Sequence, residues 1–207
     1  MKPYNQYCPV AHALDLVGER WSLLLVRELQ HGPLRYSDLH ERLPRCSTNV
    51  LATRLKELEA GNVIARRRLP PPAASTVYEL TETGAGLGPV LAALGQWGAR
   101  TLGAPPEDME MPTGWLERAL RTTVVAFVPD ARIGFVSGDE RASLDGGTVV
   151  GGVIEDAEAV VTGTPAELYA LVVLGDLETV AIEGDVSAVE RLAAALASSA
   201  LVARPVA

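Results

Sequence analysis

A proline-rich, acidic segment divides the chain into two parts that follow different patterns. The residues from Gly103 to Pro112 include three prolines and three acids, a composition that is typical of a linker between domains. Apolar residues recur mostly at helical spacing before this segment, whereas short strand-like runs prevail after it. Since 207 residues suffice for two domains of ordinary size, we predict one domain over residues 1–104 and another over 113–207.

The two parts also differ in charge. Residues 1–104 carry 12 Lys/Arg and 9 Asp/Glu, a net charge of +3, whereas the remainder carries 6 and 17, a net charge of -11. The whole-chain net charge of -8 therefore hides a locally basic part. Such asymmetry indicates nucleic-acid binding in one half, and an ordinary solvated surface is the alternative interpretation.

The first part is predicted to be mostly helical. Apolar spacing favours helices over residues 9–17, 19–29, 36–43, 47–60 and 81–102. Only Pro44-Arg45-Cys46 separates the third helix from the fourth, for which Ser47 is a suitable N-cap. Two short helices joined by so tight a turn predict a helix-turn-helix, whose second helix typically enters the major groove of DNA.

The fourth helix presents a polar face opposite its apolar one. The leucines predicted to face the core are Leu51, Leu55 and Leu58. On the opposite side, Asn49 and Thr53 are suited to reading base edges, and Lys56 is placed to meet a phosphate. Taken alone, this pattern also fits an ordinary amphipathic helix with a solvated face.

A basic hairpin is predicted directly after this helix. Strand-like runs at residues 63–69 and 76–80 flank a loop that contains three prolines. Because side chains alternate along a strand, at least one of three consecutive arginines in the first run must point outward. Together the two features predict a winged helix that binds DNA, with its wing on phosphate or in the minor groove. The residues predicted to contact DNA are Arg35, Ser47, Thr48, Asn49, Thr53, Lys56, Arg66, Arg67 and Arg68.

The second part is predicted to be an α+β domain. Strand-like runs bounded by Gly, Asp and Pro occupy residues 122–128, 132–136, 149–154, 159–162 and 179–182. Capping-box spacing at Thr164 and again at Ser187 predicts helices over 168–174 and 192–197. Strands followed by helices that pack on one face make this arrangement α+β.

The sequence contains no pattern suited to catalysis or to metal binding. All three histidines lie in the first part, and none has metal-ligand spacing with a cysteine or a carboxylate. The glycine pairs at 146–147 and 151–152 do not lead from a strand into a helix, so no phosphate loop is indicated. We therefore expect neither an enzyme nor a bound cofactor or metal.

We expect a cytoplasmic protein that does not associate with membranes. Two cysteines, Cys8 and Cys46, cannot form a disulfide framework. The first residues lack the apolar stretch of a secretory signal, and no run of 18 apolar residues predicts a membrane span.

Several motifs of the first part occur in an order and spacing that resemble a known family. They are CPVAHALDLVGERW at 8–21, LVREL at 25–29, GPLRYSDL at 32–39, LATRLKEL at 51–58 and YELTETG at 78–84. These motifs resemble the HxlR-type bacterial transcriptional regulators from residue 7 to about residue 100. The resemblance implies a winged-helix homodimer on a palindromic operator, with the first and last helices at the dimer interface. Two departures are Cys46, where the family usually has an aliphatic residue, and a longer, stiffer wing loop.

The resemblance also implies an alternative mode of control. Cys8 matches an N-terminal cysteine that some relatives use as a thiol sensor of oxidants or electrophiles. It precedes a helix that begins at Pro9, a position that favours a reactive thiolate. Cys46 is instead expected to be a core residue.

Two motifs of the second part, at 158–168 and 180–185, resemble the sterol-carrier-protein-2 fold. That fold pairs a curved sheet with helices around an apolar tunnel, which implies a small hydrophobic effector. The residues expected to wall the tunnel are Trp115, Leu116, Phe127, Phe135, Leu168, Tyr169 and Val172. Each of them could instead be an ordinary core residue.

The combined hypothesis is a DNA-binding transcriptional repressor. It would act as a homodimer on double-stranded DNA, and its second domain would either bind a small hydrophobic effector that controls it or add a dimer contact. The alternative hypothesis is a soluble carrier of hydrophobic ligands whose winged helix serves only protein association.

Overall fold

The computed structural model has one hydrophobic core in each half of the chain. It describes residues 3–30, 32–72, 74–103, 105–106, 111, 114–124 and 130–198. The chain separates into two compact units, residues 1–91 and 92–207. This division falls within a helix, ahead of the proline-rich linker, and the domain limits drawn at that linker stay a prediction.

Helices and one small antiparallel sheet build the first unit. Its elements are α1 (Pro9–Val17), α2 (Ser22–Leu29), β1 (Leu34–Arg35), α3 (Tyr36–Arg42), α4 (Thr48–Ala60), β2 (Ile64–Arg68), β3 (Thr76–Leu80), α5 (Glu82–Ala85) and the start of α6 (Gly88–Leu102). Strand β3 lies between β1 and β2, and the β2–β3 pair is the predicted hairpin, with Ile64 opposite Leu80. The predicted helices that became α1, α3 and α4 are confirmed to within one residue at each end.

Two predicted helices of the first unit have different bounds in the structure. Helix α2 begins at Ser22 rather than Glu19, because Trp21 takes a left-handed backbone conformation with a φ of 82°. The predicted helix over 81–102 is interrupted and forms α5 and α6. Alternate residues from Gly84 to Gly88 are glycine, which weakens a helix. Strand β1 was not predicted, since two residues show no periodicity.

The leucine stripe of α4 forms the centre of the first core. Leu51, Leu55 and Leu58 are at most 2% exposed, as their spacing predicted. They belong to one cluster with apolar residues of α2 and with Val63 and Ile64 at the start of β2. Because each fully buried leucine contributes roughly 1.5–3 kcal/mol, this stripe holds α4 in a single orientation.

The second unit contains a five-stranded mixed sheet and several helices. Its further elements are α7 (Trp115–Thr123), β4 (Arg132–Ser137), β5 (Glu140–Asp145), β6 (Thr148–Gly151), β7 (Ala159–Thr162), α8 (Pro165–Tyr169), a π-helix (Ala170–Leu174), β8 (Ala181–Gly184) and α9 (Val186–Ser198). The strand order is β6-β5-β4-β7-β8, in which β4 and β7 are parallel and the other neighbours antiparallel. The unit is α+β, as predicted.

Helix α7 replaces part of a predicted strand. Residues 122–123 close this helix, so the strand expected over 122–128 is wrong there, and 125–129 lie outside the described residues. An amphipathic helical pattern over 115–123 explains the difference, because it buries Leu116 and Leu120 one turn apart.

The structure also tests the other elements predicted for the second unit. Strand β5 was not predicted, because its ends are charged and only residues 142–144 at its centre are buried. The capping box at Thr164 is confirmed, with reciprocal hydrogen bonds to Glu167. The box at Ser187 is wrong: α9 begins at Val186, and the Ser187 N–H donates to the Asp185 carboxylate at 2.9 Å.

The second core lies between the sheet and its helices. Helix α7 packs against β5 and β6, and α9 packs against β7 and the π-helix. Phe135 and Leu171 are fully buried among them. None of the helices in the described part of the chain is long and apolar enough to cross a bilayer.

Gly84 is a position at which a single methyl group should destabilise the first unit. A Cβ at this buried residue would overlap the backbone carbonyl of Val63, which cannot move away as a flexible side chain would. We expect Gly84→Ala to lower the free energy of unfolding by about 3 kcal/mol or more. Chemical denaturation measures this. Gly88→Ala is the control, because its Cβ would meet only the mobile end of Gln30. Equal stability of the two variants would contradict the packing described for Gly84.

Candidate nucleic-acid interface

Helices α3 and α4 form a helix-turn-helix whose turn is longer than predicted. Because α3 ends at Arg42 and α4 begins at Thr48, five residues rather than three join them. Cys46 is fully buried in this turn, and its N–H donates to the Leu43 carbonyl at 2.9 Å. This burial confirms that Cys46 is a core residue, and it raises the pKa of the thiol.

A tyrosine that was not predicted connects the two helices. The Tyr36 hydroxyl, at the start of α3, donates to the Thr48 carbonyl at 2.8 Å. This bond ties the beginning of α4 to α3. The sequence did not indicate this hydrogen bond, because Tyr36 cannot be told from any other half-buried aromatic residue without the structure.

The predicted contact residues of α4 lie together on its exposed side. They are Ser47, Thr48, Asn49, Thr53 and Lys56. Ser47 occupies the N-cap, but its side chain makes no capping hydrogen bond. The Thr53 hydroxyl donates to the Asn49 carbonyl at 2.8 Å, so its oxygen remains available as an acceptor. The result is a small, polar surface that carries one cation.

Arg54 points away from this surface. Its side chain is 16% exposed and forms ion pairs with Glu57 and, at 3.5 Å, with Glu19. Arg54 therefore holds α4 against the residues that precede α2 and adds little positive charge to the exposed side of the helix.

The three arginines of β2 are all exposed, but their surroundings differ. Arg67 forms an ion pair with Glu79 of β3 at 2.8 Å. This hydrogen bond lowers the pKa of Glu79 and raises the pKa of Arg67, so both groups stay charged. Arg66 lies over the Tyr78 ring at 5.9 Å from its centroid. Arg68 has no ion pair among the described residues, so the available charge of the wing is concentrated on Arg66 and Arg68.

Arg35 is exposed at the N-cap of α3. Its backbone N–H donates to the Asp38 carboxylate at 2.9 Å, which stabilises the first turn of the helix. The side chain of Arg35 thus projects from the beginning of the first helix of the motif, and the remaining predicted cations lie on α4 and β2.

A separate cavity of about 540 Å³ lies in the second unit. Six of the seven predicted tunnel residues line it: Trp115, Leu116, Phe135, Leu168, Tyr169 and Val172. The seventh, Phe127, lies outside the described residues. The sequence did not indicate that Gly95, Gly98 and Leu102 of α6 also line the cavity, because only the tertiary structure brings that helix beside α7 and α8.

The remaining candidate residue, Cys8, is half-exposed at the N-cap of α1. In the described part of the chain, no group of three or more His, Cys, Asp or Glu side chains could hold a metal ion.

A helix-turn-helix followed by a basic hairpin defines the class of winged helix-turn-helix DNA-binding proteins. Sequence comparison reaches the same class, because residues 16–105 match the HxlR-like helix-turn-helix family. The chain belongs to this family of transcriptional regulators over that region.

The comparisons also identify individual relatives. The chain is 37% identical over 94 residues to the HTH-type transcriptional regulator YodB of Bacillus subtilis (strain 168), which covers 45% of this chain and 84% of YodB. It is 36% identical over 107 residues to the uncharacterised HTH-type regulator sll1512 of Synechocystis sp., covering 52% of this chain and 79% of the relative. The reduced form of YodB superposes with a TM-score of 0.42 at 35% identity, over 46% of this chain and 94% of that one.

The Arg67–Glu79 pair leads to a prediction about the wing. In Glu79→Gln the Arg67 guanidinium loses its anionic partner and becomes available to a phosphate. We expect the slope of log K against log salt to steepen by up to about 0.9, with tighter DNA binding at low salt. Fluorescence anisotropy at several salt concentrations measures this slope. Glu82→Gln removes the same charge from an exposed residue outside the wing and should leave the slope nearly unchanged. Equal slopes in both variants would show that Arg67 does not reach DNA.

Proposed function

We propose that the chain represses transcription as a homodimer on a palindromic operator. In this proposal α4 reads bases in the major groove, and Arg66 and Arg68 of the wing neutralise phosphates. A hydrophobic ligand in the second unit then controls the affinity for the operator. The observation that carries the proposal is the exposed polar side of α4 next in the chain to a hairpin with three exposed arginines.

The side chains of α4 support a division of labour along the helix. Asn49 lies in its first turn, where a recognition helix typically contacts base edges, and its amide can donate and accept at once. Lys56 lies two turns further on, where only a long cationic side chain would reach a backbone phosphate.

Exposed apolar residues support a dimer. On α1, Val10 is 67% exposed and Leu14 is 42% exposed, four residues apart on one side of the helix. On α6, Val90, Leu94 and Trp97 are 51%, 44% and 62% exposed and also share a face. Such apolar stripes are costly in water and are typical of surfaces that a second subunit covers.

The cavity supports the part of the proposal that concerns a ligand. Phe135 of the sheet and residues of α6, α7, α8 and the π-helix line it, an arrangement that supports the proposed resemblance to the sterol-carrier-protein-2 fold. The same cavity would serve the alternative function, a carrier of hydrophobic ligands that does not bind DNA.

Two variants of α4 test the DNA-binding proposal. Asn49→Ala should lose about 1–3 kcal/mol of discrimination between the operator and unrelated DNA. Lys56→Ala should weaken binding to both DNAs alike and reduce the salt slope by about 1. Mobility-shift titrations on the chain's own upstream DNA measure both quantities, and each variant serves as the control for the other. If neither variant differs from the unmodified protein, or no specific shift occurs, the carrier function is favoured.

Redox control through Cys8 is a separate proposal, supported by its half-exposed position at the beginning of α1. We expect Cys8→Ser to bind the operator normally but to lose any response to oxidant, because only the thiolate reacts. Cys46→Ala is the matched control and should respond like the unmodified protein, since the Cys46 thiol is fully buried. An unchanged response of Cys8→Ser to diamide in the mobility shift would exclude this mechanism.

A further inference from the structure

We infer that the cavity of the second unit binds an uncharged, largely apolar molecule of about 20 non-hydrogen atoms, and that α6 is the element that senses it. The inference rests on the proposed function, because it names the class of the effector and the helix through which it acts.

The chemistry of the lining excludes an ionised ligand. The described residues that line the cavity include no charged side chain, and polar side-chain atoms come only from Trp115 and Tyr169. A carboxylate or an ammonium group placed there would lose its hydration and find no opposite charge among the described lining residues. Aromatic and aliphatic groups, by contrast, would replace water against three aromatic rings, those of Trp115, Phe135 and Tyr169.

The volume sets the size of the ligand. A dry apolar cavity of about 150 Å³ holds one benzene molecule, so about 540 Å³ corresponds to roughly 20 non-hydrogen atoms. This volume also lies within the usual range of small-molecule pockets, about 300–1,000 Å³. Next to the cavity, the π-helix widens the backbone spiral where Val172 joins the wall, and π-helical turns are frequent at functional sites.

Helix α6 gives the cavity one of its walls. Gly95, Gly98 and Leu102 share a helical face that lines the cavity. A Cβ added at Gly98 would meet no atom of the described residues within 4 Å, so there is room for a larger side chain beside the helix here. A ligand in the cavity would therefore lie close to the α6 backbone at these glycines.

The same helix carries two other surfaces. Leu91, one turn earlier, is buried in the core that holds the DNA-binding helices. Val90, Leu94 and Trp97 form the exposed apolar face proposed for the dimer. A ligand that displaces or stiffens α6 would thus act on the element that joins the first core to the dimer contact. In the proposed dimer, this contact would set the spacing of the two α4 helices.

The first experiment tests the class of the ligand. Pyrene-1-methanol and pyrene-1-carboxylate share one fluorescent ring system of suitable size and differ in the ionised group. Fluorescence titration of the full chain at pH 8 should show saturable binding of the alcohol, and at least tenfold weaker binding of the carboxylate. Equal binding of the two compounds would overturn the inference, as would no binding of the alcohol. Binding that disappears as the protein concentration rises would instead assign the cavity to a second copy of the chain.

The second experiment tests α6 with a graded pair of substitutions. Gly98→Leu should fill the cavity and abolish binding of pyrene-1-methanol, whereas Gly98→Ala should retain binding, since one methyl group leaves most of the volume. The pair shares the loss of glycine, so only the added volume differs. Ala119→Leu fills the cavity from α7 and should also exclude the probe. Thermal melting identifies any variant that fails to fold.

The DNA measurement then separates sensing from binding. Saturating pyrene-1-methanol should change the affinity of the unmodified protein for its operator at least fivefold. Gly98→Leu without the probe should show the same change in the same direction, and Gly98→Ala should not. If Gly98→Leu excludes the probe but keeps the operator affinity of the empty protein, the role of α6 is overturned. Loss of all operator binding with intact probe binding would contradict the proposed function instead.

Discussion

The burial of one leucine stripe determines which side of helix α4 this protein presents to solvent. Leu51, Leu55 and Leu58 occupy the centre of the first core, so the opposite side of α4 must face solvent. The Tyr36 hydroxyl fixes the beginning of the helix, and Arg54 fixes its side through two carboxylates. The positions of Asn49, Thr53 and Lys56 are therefore set by the packing of the opposite side of α4. The core gives this polar surface a rigid support.

Local ion pairs determine which cations of α4 and the β2–β3 hairpin are available to bind a phosphate. Arg54 and Arg67 are bound to neighbouring carboxylates, whereas Arg66, Arg68 and Lys56 have no such ion pair among the described residues. The count of basic residues in a segment therefore overstates its attraction for phosphate. The second part of the chain is strongly acidic, with a net charge of -11, and like charge repels a phosphate backbone.

Helix α6 links the two proposed activities, because different parts of this one helix serve three purposes. One turn enters the first core, one face is exposed and apolar, and one face lines the cavity with glycines. Glycine is unfavourable in the interior of a helix, by roughly 0.5–1 kcal/mol relative to alanine. Its presence at Gly95 and Gly98 leaves room that a larger side chain would fill, and this room is part of the cavity.

The sequence was most informative where a pattern repeats or a motif is local. Helical spacing predicted α1, α3 and α4 and the buried leucines, and reciprocal capping predicted the start of α8. The family motifs led to the winged helix-turn-helix class and the HxlR-like family, which the comparisons confirm. Predictions failed where the local pattern was weak or misleading: β1 is too short, β5 has charged ends, and Asp185 rather than Ser187 caps α9.

By itself, then, the sequence determined the two-part character of the chain, the helix-turn-helix and the burial of the α4 leucines. These features follow from periodicity and composition, which depend only on neighbours along the chain. Only the tertiary structure decided that Glu79 neutralises Arg67, that Tyr36 anchors α4 and that α6 borders the cavity. Each of these contacts joins residues more than ten positions apart, and no local pattern encodes which distant side chains will meet.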